Sequence, residues 1–248
     1  LIEAPKGMRM LVDGGGSYKG EHDTGKSILT PVLLAKKIRT IDYVINTHPH
    51  GDHIGGLFHI VRNFDVRHFV TGKYFINEGM FLDIMNILRI KGVPVERWEA
   101  GDHLTLRGAR IDVLSPDRDT TIEDPNNASL VLRIVYGKKS FLLTGDIGSE
   151  IEQRLVLSGL AAKADVLKVP HHGSRYSSSA HFLYTVRPDL AVLSVGSGIK
   201  GLPSKEALGR YKRLSIPVLR TDVNGFIRIC TDGEKIWCNT MLKSNNRY

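Results

Sequence analysis

Cysteine is nearly absent. The 248 residues hold two, Cys230 and Cys238, and neither lies in a metal-ligand spacing, which excludes a disulfide-framework protein and a thiolate zinc site. They flank Thr231-Asp232-Gly233-Glu234. A two-residue turn at Asp232-Gly233 would pair Cys230 with Lys235 and Cys238 with Ile227, putting the thiols on opposite faces of the hairpin. No stretch approaches the roughly 18 consecutive apolar residues of a membrane-spanning helix, and no secretory h-region opens the chain. A soluble domain is the expectation. No internal repeat, linker, phosphate-binding P-loop or Ser-His-Asp pattern is present. The chain also lacks an initiator Met and starts inside a strand-like pattern at Leu1, which predicts a fragment of something longer.

What is there is ordinary in proportion. The chain is 42% hydrophobic and 24% charged with 25 Gly and 10 Pro, which excludes collagen-like, low-complexity and disordered classes. Lys and Arg number 34 against 26 Asp and Glu, a net charge of +8 that is compatible with a polyanionic partner. The basic residues form no dense block; the nearest are Lys36-Lys37-Ile38-Arg39 and Arg210-Tyr211-Lys212-Arg213.

Strand patterns fall at 8–13, 41–47, 66–71, 93–98, 103–106, 110–115, 130–136, 140–144, 165–169, 190–195, 218–221 and 226–230, bounded by turn residues. Helical patterns fall at 27–39, 55–63, 77–91, 149–160, 178–185 and 204–214. Strands alternating with helices make an α/β arrangement. The longest break, 116–127, has strands on both sides that read as one sheet system, so one domain over 1–248 is expected.

The chemistry concentrates after the second strand. Ile45-Asn46-Thr47 leads into His48-Pro49-His50-Gly51-Asp52-His53 and then Ile54-Gly55-Gly56, four potential metal ligands in six residues. His48 and His50, two apart in an extended segment, can aim at one ion from the same side. Asp52 and His53, after the chain turns, can aim at a second, and imidazole with carboxylate suits Zn, Mn or Fe. The bland alternatives are a His-rich surface loop or helix-capping histidines.

This segment resembles the signature of the metallo-β-lactamase superfamily, which implies a four-layer αββα sandwich with a two-metal site. Asp13-Gly14-Gly15 matches its opening turn, and Leu142-Leu143-Thr144-Gly145-Asp146 its metal-bridging strand-end aspartate. Leu167-Lys168-Val169-Pro170-His171-His172-Gly173-Ser174 is similar to one branch, the C-terminal domains of the ComEC competence proteins, which are DNA-uptake channels. Asp23-Thr24-Gly25, Asn126 through Leu132, and Thr221-Asp222-Val223-Asn224-Gly225 resemble the same branch. The resemblance implies metal ligands His48, His50, Asp52, His53, Asp146 and one of the His171-His172 pair. His171 is favoured as the ligand, with His172 supporting it or donating a proton. Asp52 and His172 are the candidate catalytic residues, and Lys168, Ser174 and Asn127 the candidate substrate contacts.

Each of these has a plainer role available. Asp146 could cap the next helix, Ser174 likewise, and Asp13 could merely stabilise its Gly turn. His22, His59, His68, His103 and His181 lie in no ligand spacing. In place of the third histidine that many superfamily hydrolases use for the first metal, this chain has Asn126, Asn127 and Ser129, as the ComEC branch does. The first metal would then have His48, His50, Asp146 and waters, an oxygen-rich site that suits Mn2+ at least as well as Zn2+. The branch usually carries Gly-His-Pro near the last helix, where this chain reads Gly201-Leu202-Pro203, which puts full activity in question.

The resulting expectation is a two-metal nuclease cutting DNA, the strand discarded during uptake, with two divalent ions and no nucleotide cofactor. Its partners would be DNA, taken as single-stranded, and a membrane channel segment of the same longer protein, on the extracytoplasmic face of a bacterial cell membrane. The other readings are a hydrolase of a small ester, lactone or thioester, a module that binds metal or DNA without cutting, and a purely structural domain.

Overall fold

The computed structural model describes residues 1–16, 22–73, 79–118, 124–196 and 199–242. The chain divides into two compact units, the first made of Leu1–Asp102 with Pro116–Leu130, the second of His103–Ser115 with Val131–Tyr248.

The first unit is built on a five-stranded sheet: β1 (Ile2–Glu3), β2 (Arg9–Val12), β3 (Thr40–Asn46), β4 (Asp65–Thr71) and β5 (Val95–Arg97), side by side in that order. β2 through β5 are parallel and β1 adds an antiparallel edge. Parallel neighbours need crossovers, and these are the helices α1 (Thr30–Ala35), α2 (Gly51–Asn63) and α3 (Gly79–Lys91). α2 places Ile54, Leu57, Ile60 and Val61 on one stripe, packed with Leu33, Ile84 and Leu88 of the other helices and Leu11, Ile41, Val44 and Phe69 of the sheet.

The second unit carries a seven-stranded sheet ordered β12-β11-β10-β9-β8-β7-β6. Its strands are β6 (His103–Leu106), β7 (Ala109–Ser115), β8 (Val131–Tyr136), β9 (Lys139–Leu143), β10 (Val166–Lys168), β11 (Leu190–Leu193) and β12 (Val218–Arg220). β6 to β9 form an antiparallel meander, and β9 to β12 run parallel through the helices α4 (Ser149–Leu157), α5 (Ala180–Val186) and α6 (Lys205–Arg213). A single turn, α7 (Thr221–Asn224), precedes the hairpin β13 (Ile227–Thr231) with β14 (Ile236–Thr240). The strands on either side of the 116–127 break, β7 and β8, are sheet neighbours, as the pattern predicted.

Three expectations change. The helix read as starting at Gly55 starts at Gly51, because His50 is extended and its carbonyl accepts from the His53 and Ile54 amides. Glycines at 51, 55 and 56 had diluted the helical pattern. The stretch read as one helix from Ser27 is a wide turn over Gly25–Leu29 followed by α1, and Lys37 (φ 57°) ends it. The C-terminal hairpin pairs Cys230 with Trp237 and Ile229 with Cys238, two residues away from the expected register. Asp232 Oδ1 accepts from both Glu234 and Lys235 amides, which holds a longer turn than Asp232-Gly233 alone. The shift is even, so the cysteines still face opposite sides, and both are free thiols. The first residues of the expected 77–91 helix, and 119–123 of the long break, lie outside the described residues.

Candidate metal centre

Parallel strands end on the same edge of a sheet, so residues that follow adjacent strands become neighbours. In the first unit β2 and β3 are adjacent, which brings Asp13 beside Thr47 and His48. Asp13 takes φ 56°, the left-handed region that a short polar side chain tolerates, and this turns its carboxylate back across the strand ends. Asp13 Oδ1 accepts from the Thr47 amide at 2.8 Å, and Oδ2 accepts from the Thr47 hydroxyl at 2.8 Å. Oδ2 also lies 2.7 Å from His53 Nδ1.

These bonds settle the tautomers. Thr47 has one hydroxyl hydrogen, directed at Asp13, so its oxygen accepts from His48 Nδ1 at 3.1 Å. His53 Nδ1–H donates to Asp13 itself, and His50 Nδ1–H donates to Asn126 Oδ1 at 3.0 Å. Every one of the three imidazoles therefore keeps Nε2 as its lone-pair nitrogen, the state a metal ligand requires. The rings are close: His48 lies 4.9 Å from His50 and 4.1 Å from His53, centroid to centroid. Burial alone would push the Asp13 carboxyl up. The hydrogen bonds from His53 and the Thr47 amide, with His48 nearby, outweigh burial and hold it below its ordinary 3.8.

The segment is locked by backbone contact. Gly14 N–H donates to His53 O at 2.7 Å and Gly56 N–H to Gly15 O at 2.8 Å. A Cβ on Gly56 would collide with the Gly14 carbonyl, and one on Gly14 with the Leu57 backbone nitrogen. Asp52 stands in the first turn of α2, where a carboxylate suits the helix dipole. Asn127 is half-buried in the turn beside Asn126, and Leu130 N–H ties that turn to Thr47 O at 3.0 Å.

In the second unit β9, β10 and β11 are neighbours, so Asp146, the His171-His172 turn and Ser194 meet at one edge. His172 Nδ1 donates to the Ser194 carbonyl at 2.7 Å, and its Nε2 lies 3.1 Å from Asp146 Oδ2. With Nδ1–H committed to a carbonyl, Nε2 presents a lone pair to a carboxylate oxygen. That approach is favourable only with a proton or a metal ion between them, and this carboxylate-imidazole pair fits a divalent ion. The structure places His172 beside Asp146, and both histidines of the turn adopt left-handed backbone (φ 47° and 50°).

Asp146 is 2% exposed and does not cap α4, whose N-cap is Gly148. Lys168 Nζ reaches the carbonyls of Gly145 and Val169, both at 3.3 Å, and stands 3.8 Å from Asp146 Oδ1. Its ammonium thus supports the Asp146 turn. Ser174 is buried, its hydroxyl accepting from the Tyr176 amide, and the cap of α5 is Ser179. Sequence reasoning passed over the roles of Asp13 and Thr47, although Asp13 directly follows the strand beside β3. It also passed over Ser194, which carried no signal since only its carbonyl is used.

A family model described as the metallo-beta-lactamase superfamily matches residues 1–197. The chain is 36% identical over 231 residues to ComE operon protein 3 of Bacillus subtilis, covering 89% of this chain and 30% of that protein. It is 31% identical over 232 residues to competence protein ComA of Neisseria gonorrhoeae, covering 91% of this chain and 31% of that protein. The chain thus spans under a third of the length of these relatives. Among solved structures, the metallo-beta-lactamase fold protein YhfI of Bacillus subtilis superposes with a TM-score of 0.52 at 14% identity, covering 96% of this chain and 94% of that one. A β-hydroxylase, CmlA, superposes at 0.54 and 14% identity, covering 87% of this chain and 49% of its own, so the fold alone does not name a reaction. Matched over most of its length in family model, relatives and fold, the chain belongs to the metallo-β-lactamase superfamily.

Proposed function

We propose that the chain is a metal-dependent hydrolase of phosphodiesters, a nuclease that degrades one DNA strand during uptake. The observation that carries the metal dependence is the set of three histidines whose Nδ1 atoms are all committed to Thr47, Asn126 and Asp13. Relatives named for competence, and the net charge of +8, support DNA as substrate.

In this reading, as the resemblance implies, the ligands of two divalent ions are His48, His50, Asp52 and His53 of the first unit and Asp146 with one of the His171-His172 pair of the second, Mn2+ fitting an oxygen-rich set at least as well as Zn2+. When bound, such a pair neutralises a phosphodiester and acidifies the attacking water. Asp13 holds two of the imidazoles in their ligand tautomer, one directly and one through Thr47. Asp52 takes the proton of the attacking water. His172, its Nδ1–H held by the Ser194 carbonyl, faces Asp146 with Nε2, and the leaving oxygen takes its proton from solvent. The domain would act on DNA at the extracytoplasmic face, beside a membrane channel segment of the same longer protein; no helix among the described residues is long and apolar enough to cross a membrane.

The test is cleavage of labelled single-stranded DNA with Mn2+, beside Asp52→Ala and a chelator. Cleavage lost in both establishes the reading, and intact DNA with two metals bound ends it. Position 202 favours a second reading, a module that binds without cutting. Ser204 N–H donates to Gly173 O at 2.9 Å and Pro203 packs on Gly173, so Leu202 borders the His171-His172 turn where the ComEC branch has a histidine. Tight binding without cleavage, with activity gained in Leu202→His, would establish that alternative.

A further inference from the structure

The loop after the His171-His172 turn is fastened from both sides. Glu152 of α4, fully buried, accepts the Ser178 and Ser179 amides on its two carboxylate oxygens, the latter at 2.7 Å. Arg210 of α6 donates to the carbonyls of Arg175, Ser177 and Ser178 at 3.0, 2.7 and 2.8 Å. The Ser149 amide holds the Tyr176 carbonyl at 2.8 Å, and the Ser177 hydroxyl bonds to Pro170 O at 3.0 Å, the base of the histidine turn. Ser178 is held at φ 59°, an unfavourable conformation for serine that these bonds over-determine.

What this rigid backbone displays is two side chains. Tyr176 is 73% exposed and Arg175 is exposed beside it, and neither has a side-chain partner among the described residues. The contrast is Tyr184 on α5, also exposed at 61%, whose ring is covered by Arg187 at 4.7 Å. An uncovered aromatic face costs solvation and gains nothing in the folded chain. Fixed in place next to an unpaired guanidinium on a basic protein, it matches a nucleobase to stack and a phosphate to neutralise.

We propose that Arg175 and Tyr176 form a landing site for single-stranded nucleic acid, Tyr176 stacking one base and Arg175 pairing with the adjoining phosphate. A base inside a duplex is already stacked on both faces, so the site selects unpaired strand. The inference rests on the nuclease reading and adds the element that makes the substrate single-stranded.

The full chain is tested in chelator, where it cannot cut, by the binding of a fluorescent oligothymidylate carrying one 2-aminopurine and of a blunt duplex. Tyr176→Ala weakens single-strand binding about tenfold and removes the quenching of 2-aminopurine, whereas Tyr176→Phe keeps both, because stacking needs the ring and not the hydroxyl. Tyr184→Ala serves as the surface control and binds as the unmodified chain does. Arg175→Ala weakens binding and flattens its salt dependence. Unchanged binding by Tyr176→Ala in a chain that cleaves DNA with Mn2+ overturns the landing site alone. Equal losses in Tyr176→Phe and Tyr176→Ala overturn stacking. A chain that neither binds nor cleaves DNA overturns the nuclease reading, and the landing site with it.

Discussion

At the scale of single residues, Asp13 organises donors that the motif itself supplies. One carboxylate accepts from the Thr47 amide and hydroxyl and from His53, and so presets two imidazoles. In Asp13→Asn one oxygen becomes an NH2 that can no longer accept, and His53 is freed to take the other tautomer. Metal affinity should fall about 10- to 100-fold with the fold retained, read by calorimetric titration with Mn2+ or Zn2+ beside circular dichroism. Unchanged affinity would show that His53 is held by other means. For Asp146 and His172, divalent metal should raise the melting temperature of the unmodified chain, and Asp146→Asn should abolish the rise. The HxHxDH donors were legible because their spacing is local. Asp13 was not, since it acts across 34 and 40 residues of chain on partners that only strand adjacency supplies.

At the scale of elements, α2 is both a core helix and the platform for Asp52 and His53. Its first turn interlocks with the Gly14-Gly15 turn so closely that Gly56→Ala would drive a methyl into the Gly14 carbonyl. Because the obstacle is backbone, the helix must move. A loss of about 2 kcal/mol or more in unfolding free energy, with metal binding lost in parallel, is the expected result by urea titration. Asp165, between α4 and β10, accepts from the Ser140 amide at 2.8 Å and from Lys139 at 3.1 Å. Burial pushes its carboxyl up, but these bonds outweigh burial and leave it below 3.8. The sign follows: the ionised form is favoured on folding, so its contribution is present above pH 3.8 and fades as the pH falls through the lower folded value. Asp165→Asn should therefore lower the melting temperature at neutral pH and approach the unmodified chain below that point, and a constant difference across pH would contradict this. Most elements were readable from alternation and period. The start of α2 and the turn of the last hairpin were not, because glycines mute the helical pattern in one and side-chain bonds from Thr231 and Asp232 lengthen the other.

For the molecule as a whole, charge is the property that bears on the partner. A net +8 carried mostly by dispersed residues predicts a salt-sensitive association with DNA, affinity falling more than about tenfold between roughly 50 and 200 mM salt. A salt-independent affinity would speak for a small neutral ester as substrate. The sequence by itself determined the alternation of strands and helices and the presence of a dense set of nitrogen and oxygen donors, because periodicity and spacing are properties of neighbours along the chain. Only the tertiary structure decided that His172 lies beside Asp146, that Asp13 reaches Thr47 and His53, that Lys168 meets the Gly145 carbonyl and that the Ser174 hydroxyl meets the Tyr176 amide. Those outcomes depend on which strand ends lie side by side and on the backbone angles of single residues, and a linear pattern carries neither.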